Sequence, residues 1–265
     1  MATIAVDVLS QLLEADEYLR SLLTFEAVNT SITSPVLTVR AELMPVLREW
    51  AGDNLLSVFP SGSFAKGTAI RSGTDIDLLL SLGGPGRMAL REVHESLFDA
   101  LVAAGYRPRR QNVSINIKLN GYSVDLVPGH LQNALTADHS LYVRKSDTWI
   151  KTNIQKHIAY VRAAKRADEI RVVKLWRNQR GLDFPSFYLE MVAIRVLAAR
   201  ATPYLAGNVS AVFEYLRDAL MHARFVDPAN SNNVLSDLLT DAEKREIATA
   251  ARSALAKARW IDIVR

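Results

Sequence analysis

Residues 113–128, VSINIKLNGYSVDLVP, restrict the chain more than any other stretch. Val113, Ile115, Ile117 and Leu119 alternate with polar residues, the period of a half-buried strand. Asn120-Gly121 is the favoured two-residue hairpin turn, and YSVDLVP returns. The sequence therefore demands a sheet with one face on a core. Asp125 lies on the returning strand between Val124 and Leu126, which face that core. An acidic residue on a half-buried strand needs a partner.

A second strand is expected at DIDLLLSL, residues 75–82. Alternation puts Asp75 and Asp77 on one face and Ile76, Leu78 and Leu80 on the other, toward a core. Two like charges side by side repel unless something positive sits between them. A divalent cation meets that need. The chain has no cysteine and no paired histidine nearby, so hard oxygen ligands favour magnesium or manganese over zinc. Asp125 would complete a two-ion site if its strand lies beside this one. Ahead of the aspartates, GSFAKGT forms a donor-rich turn. Gly62 lets the backbone approach an anion, Ser63 and backbone N–H groups suit a phosphate, and Lys66 adds charge. The plain alternative is an Asp-x-Asp pair at a solvated strand end.

Helical patterns are expected at residues 3–28 and 34–51, across MALREVHESLFDALVAAG, and at 153–180, 186–200, 209–224 and 241–258. A short strand is expected at LLSVF and a turn at GGPG. Strands in the first half and helices in the second define an α+β chain. Its sheet lobe would span residues 1–145 and its helical lobe 146–265. The absence of cysteine excludes disulfides, thiolate zinc sites and thiol nucleophiles. No apolar run approaches the roughly 18–20 residues of a membrane span. The N-terminal stretch reads as an amphipathic helix, so a cytoplasmic protein with no membrane association is expected. From Arg144 to Arg180 there are eleven Lys or Arg and three Asp or Glu, a field that attracts polyanions. These charges are scattered around the helical pattern and form no single stripe. They are expected to serve nucleotide binding, with nucleic acid not required.

GSFAKGTAIRSGTDIDLLL resembles the signature of the polymerase-β-type nucleotidyltransferases, and YSVDLVP resembles their third-aspartate strand. IRVVKLWRNQRGLDFPSFYLEMVAI and VDPANSNNVLSDL resemble helical-lobe motifs of one branch. That branch holds oligoadenylate synthases, archaeal-type CCA-adding enzymes and the bacterial cGAS/DncV-like nucleotidyltransferases, or CD-NTases; the resemblance is to the last. It implies a nucleotidyltransferase lobe with a mixed sheet, a helical lobe, and an active-site cleft between them. By motif, Asp75, Asp77 and Asp125 would be the catalytic carboxylates, binding two magnesium or manganese ions. Gly62, Ser63 and Lys66 would meet phosphate, Lys174 and Ser186 the triphosphate, and Phe187 a nucleobase. The implied reaction joins nucleoside triphosphates into a cyclic di- or trinucleotide messenger of anti-phage defence, sensed by a separate effector protein. Three other readings compete: a linear-product enzyme acting on RNA, a small-molecule nucleotidyltransferase, and a non-catalytic nucleotide-binding regulator.

Overall fold

A computed structural model describes residues 2–73, 75–83 and 88–265, with side-chain surroundings from residue 10 onward. The expected GGPG turn falls largely outside the described residues. In chain order the elements are α1 (Ala2–Phe25), α2 (Pro35–Ala51), β1 (Leu55–Pro60), α3 (Gly62–Lys66), β2 (Ile76–Leu82), α4 (Leu90–Ala103), β3 (Arg109–Arg110), β4 (Ile115–Leu119) and β5 (Tyr122–Asn133). They continue with β6 (Asp138–Val143), β7 (Thr148–Thr152), α5 (Ile154–Ala163), α6 (Ala167–Gln179), α7 (Ser186–Leu197), α8 (Leu205–Asp218), β8 (Val226–Asp227), β9 (Asn230–Val234) and α9 (Asp241–Leu255). Among the described residues no helix is long and apolar enough to cross a membrane.

The chain divides into two compact units, and the α+β class is borne out. One unit comprises Asn29–Gly67 and Thr74–Ala159; the other comprises Met1–Val28, Thr68–Gly73 and Tyr160–Arg265. The sequence suggests a single boundary near 145. In the structure α1 and the short 68–73 segment belong with the helices, and β7 belongs with the sheet.

In the sheet unit the strands run in the order β1-β2-β5-β4-β3, with β6 pairing both β5 and β7. β2 and β5 are parallel, and the other pairs in this sheet are antiparallel. Burial follows the alternation read from the sequence. Ile76, Leu78 and Leu80 of β2, Val124 and Leu126 of β5, and Ile115 and Ile117 of β4 are buried together with Leu43 and Leu47 of α2 and Leu97 and Leu101 of α4. The hairpin turn forms at Asn120-Gly121, with φ of 52° and 80°. Leu119 pairs Tyr122 across it, as a two-residue turn requires.

The helical unit departs from the sequence expectation in several places, among them the short β8–β9 hairpin where only helices are expected. The expected helix 153–180 is broken into α5 and α6, where Lys165 takes a φ of 52°. There Arg166 turns its guanidinium to the carbonyls of Leu197 and Arg200 and to the Glu169 carboxylate. These bonds offset the cost of interrupting the helix. The expected helix at 209–224 starts earlier, at Leu205, because its first turn is capped from far away. Asp16 of α1 accepts hydrogen bonds from the Leu205 and Ala206 N–H groups, at 2.9 and 2.7 Å. Tyr18, also on α1, donates to the Val264 carbonyl at 2.9 Å. Leu19 and Leu23 of α1 enter the same core as Trp176, Tyr188 and Phe213.

Asp16 thus caps a helix it does not belong to. Asp16→Ala is expected to destabilise the helical unit by about 1–2 kcal/mol, the usual worth of such a cap. Asp16→Asn keeps one acceptor oxygen but turns its amide nitrogen toward the second N–H donor, so it should recover only part of that loss. Urea denaturation followed by circular dichroism measures both; equal midpoints for wild type and Asp16→Ala would contradict the assignment.

Candidate active site

Asp77 and Asp125 stand directly opposite one another on the parallel pair β2–β5. Their side chains share the face opposite the apolar core. Asp75 precedes β2 by one residue and is exposed. Burial pushes the Asp125 carboxyl up from its ordinary range, and the negative charge of Asp75 adds to that. A hydrogen bond from Asn116 and the charges of Arg109 and Lys118 pull the other way.

Gly62 has a φ of 58°. A Cβ built there would lie 1.6 Å from Asp77 Oδ2 and 2.4 Å from its Cγ. What the missing side chain admits is therefore the Asp77 carboxylate itself. The Ser61 N–H donates to the Asp77 carbonyl at 2.8 Å, tying the turn to the strand. Ser63 is half-buried on α3, and Phe64 anchors that helix in the core of the sheet unit. Lys66 is buried at the end of α3. The structure thus brings Gly62, Asp77 and Asp125 together, with Asp75 within electrostatic reach of Asp125.

Among the described residues no three carboxylate, imidazole or thiolate groups stand close enough together to hold a metal ion as they are. Donor type and accumulated negative charge fit a hard divalent cation. Closure around one requires the carboxylates to draw together.

In the helical unit, Lys174 is 3% exposed and Glu190 fully buried. The Lys174 ammonium donates to Glu190 Oε1 at 2.6 Å and to Thr68 Oγ1 at 2.9 Å. Thr68 in turn donates to Glu190 at 2.8 Å. This closed triad is absent from the sequence reading, which treats Lys174 as a nucleotide contact and leaves Thr68 as a turn residue. One turn further along α6, Arg177 donates to the Ser186 hydroxyl at 2.6 Å and to the Phe184 carbonyl at 2.9 Å. Ser186 therefore accepts from Arg177, and its own O–H is directed elsewhere. Phe187 is partly buried against the helical core.

No protein-family model matches the chain. It is similar to the cyclic AMP-AMP-AMP synthase of Escherichia coli (strain MS 115-1), with 28% identity over 211 residues. The match covers 70% of this chain and 65% of that protein, so the chain spans just under two thirds of its relative's length. Among solved structures it is similar to E. coli MS115-1 CdnC with ATP, at a TM-score of 0.67 and 24% identity, covering 82% of each chain. It is also similar to the CD-NTase CdnG of Bradyrhizobium diazoefficiens with GTP, at a TM-score of 0.71 and 15% identity, covering 91% of each chain. The fold is that of the polymerase-β-type nucleotidyltransferases. Within that class the likeness is to the CD-NTases, and the resemblance carried by the Gly-Ser and Asp-x-Asp motifs is borne out.

Two stability predictions follow from this geometry. Lys174→Met leaves Glu190 buried without its cation, and a loss of about 3–5 kcal/mol is expected. The double variant Lys174→Met/Glu190→Met removes the stranded charge and should lose less; guanidinium titrations of all three proteins compare them. Gly62→Ala forces a side chain into left-handed backbone, costing about 1–2 kcal/mol, and also displaces Asp77. A variant with wild-type stability would show that the turn has relaxed without strain.

Proposed function

We propose that this protein is a template-independent nucleotidyltransferase that joins nucleoside triphosphates into a cyclic di- or trinucleotide. The observation that carries the reading is the in-register pair Asp77–Asp125, with Asp75 beside it and Gly62 opened to admit the Asp77 carboxylate. The likeness to a cyclic AMP-AMP-AMP synthase supports a cyclic product, and cyclic triadenylate is the first to be sought.

Asp75, Asp77 and Asp125 would hold two magnesium or manganese ions. When bound, such ions lower the pKa of an acceptor hydroxyl and stabilise charge developing on the transferred phosphate. The protein's own groups do the rest. The turn at Gly62 and Ser63 fixes the Asp77 carboxylate and offers hydroxyl and backbone donors to phosphate. Ser186, with its oxygen occupied by Arg177, presents its O–H to an anionic oxygen. Phe187 offers a ring face to a base. Lys174 acts through the triad with Thr68 and Glu190: it holds Thr68 at the start of the 68–73 segment. Lys66, buried on α3, adds positive charge near the turn. The product would act on a separate effector protein in anti-phage defence. Nucleic acid is not required, and the basic stretch from Arg144 to Arg180 serves nucleotide binding.

The test is to incubate the purified protein with all four nucleoside triphosphates and magnesium or manganese, with and without duplex DNA, duplex RNA and tRNA, and to identify products by mass spectrometry. A phosphatase-resistant cyclic oligonucleotide is expected without nucleic acid. Strict dependence on nucleic acid, or a linear product alone, would overturn the reading. Asp75→Asn/Asp77→Asn should abolish product while stability stays equal or rises, because the repulsion between the carboxylates is removed.

A further inference from the structure

Asn116 is a polar side chain 2% exposed on β4 that no motif accounts for. A buried amide needs partners for its oxygen and both its hydrogens, or it costs the fold stability. Asn116 has them. Its Nδ2 donates to Asp125 Oδ1 at 2.7 Å and to Ser123 Oγ at 2.9 Å. Its Oδ1 accepts from Arg109 Nη2 at 3.1 Å. Only one orientation of the amide suits these neighbours. A carboxylate only accepts and a guanidinium only donates, so nitrogen faces Asp125 and oxygen faces Arg109.

The sheet register explains why these groups meet. Arg109 pairs Asn116, Asn116 pairs Asp125, and Asp125 pairs Asp77. One row across four strands therefore reads Arg, Asn, Asp, Asp on a single face. The neutral amide between guanidinium and carboxylate matters chemically. A direct Arg–Asp pair would draw the Asp125 charge into an ion pair and occupy its oxygens bidentately. Through Asn116 the positive charge is felt, but only Oδ1 is occupied. Oδ2 stays available.

We propose that Asn116, oriented by Arg109, is a positioning residue that presents Asp125 to the divalent cation of the nucleotidyl-transfer site. The inference rests on the metal-site reading given under Proposed function. Partners of this kind set the orientation of metal-ligating side chains, and their loss costs roughly 10–100-fold in metal affinity or activity.

The test measures Mn2+ binding directly by electron paramagnetic resonance, beside thermal unfolding, for wild type, Asn116→Ala, Arg109→Met, Arg109→Lys and Asp77→Asn. Arg109 is exposed, so Arg109→Met is expected to fold even if Asn116→Ala does not. Mn2+ affinity should fall about 10–100-fold in Asn116→Ala and in Arg109→Met. Arg109→Lys, which retains a charged donor, should recover most of the loss. A purely structural role would lower the unfolding temperature and leave the affinity of the folded protein unchanged. If Asp77→Asn loses Mn2+ while Asn116→Ala and Arg109→Met bind it as wild type does, the relay is overturned and the metal site stands. If Asp77→Asn binds Mn2+ as wild type does, the metal-site reading fails and the relay fails with it.

Discussion

The parallel pairing of β2 with β5 sets Asp77 against Asp125, and the candidate site depends on that register. A slip of one residue would send the two carboxylates to opposite faces of the sheet. Repulsion at neighbouring-strand spacing, about 1–4 kcal/mol for effective dielectrics between water and protein surface, pushes toward such a slip. The opposite face resists it. Ile76 pairs Val124 and Leu78 pairs Leu126, and all four side chains are fully buried. At roughly 1.5–3 kcal/mol each they contribute about 6–12 kcal/mol, which outweighs the repulsion. A strained pair of charges is thus held by an ordinary apolar face.

The parts of this arrangement that were legible in the sequence are those governed by local period. Alternation in DIDLLLSL and VSINIKLNGYSVDLVP placed the aspartates on a polar face, and Asn120-Gly121 placed the turn. What was not legible depends on partners distant in sequence. The strands β6 and β7 lie in DHSLYVRKSDTWIKT, where charge and turn residues obscure the alternation. The start of α8 is set by Asp16 and the break before α6 by the carbonyls of Leu197 and Arg200, neither visible from the local pattern. Asn116 was the nearest to being readable. A polar residue between the core positions Ile115 and Ile117, facing an aspartate across an NG hairpin, can be placed from the turn alone by counting residues outward.

Lys174 shows how a motif can be present while its local chemistry differs from a surface reading. The residue falls in the expected lysine-x-tryptophan helix, yet its ammonium is enclosed with Glu190 and Thr68. A buried pair of this kind adds little net stability over an apolar replacement but penalises the loss of one member heavily. Its effect is to specify position. Thr68 opens the 68–73 segment, and Gly73 near its end lies so close to Asn178 that a Cβ would stand 2.2 Å from the amide nitrogen. Glu26 accepts from the Ser72 N–H within the same segment, at 2.8 Å. The segment is thus held at its start by α6 and α7 and near its end by Glu26, just past α1, all in the one unit.

The cap that Asp16 places on α8 also bears on how the chain comes off the ribosome. Asp16 and Leu205 are 189 residues apart. At about 5–20 residues per second, α1 emerges roughly 10–40 s before the helix it must cap. Residues 29–159, which supply the whole seven-stranded sheet, are made within that interval. Leu19 and Leu23 have no core to enter until α6 and α8 follow. During synthesis, then, the carboxylate-bearing sheet can form while the first helix waits with its apolar face uncovered.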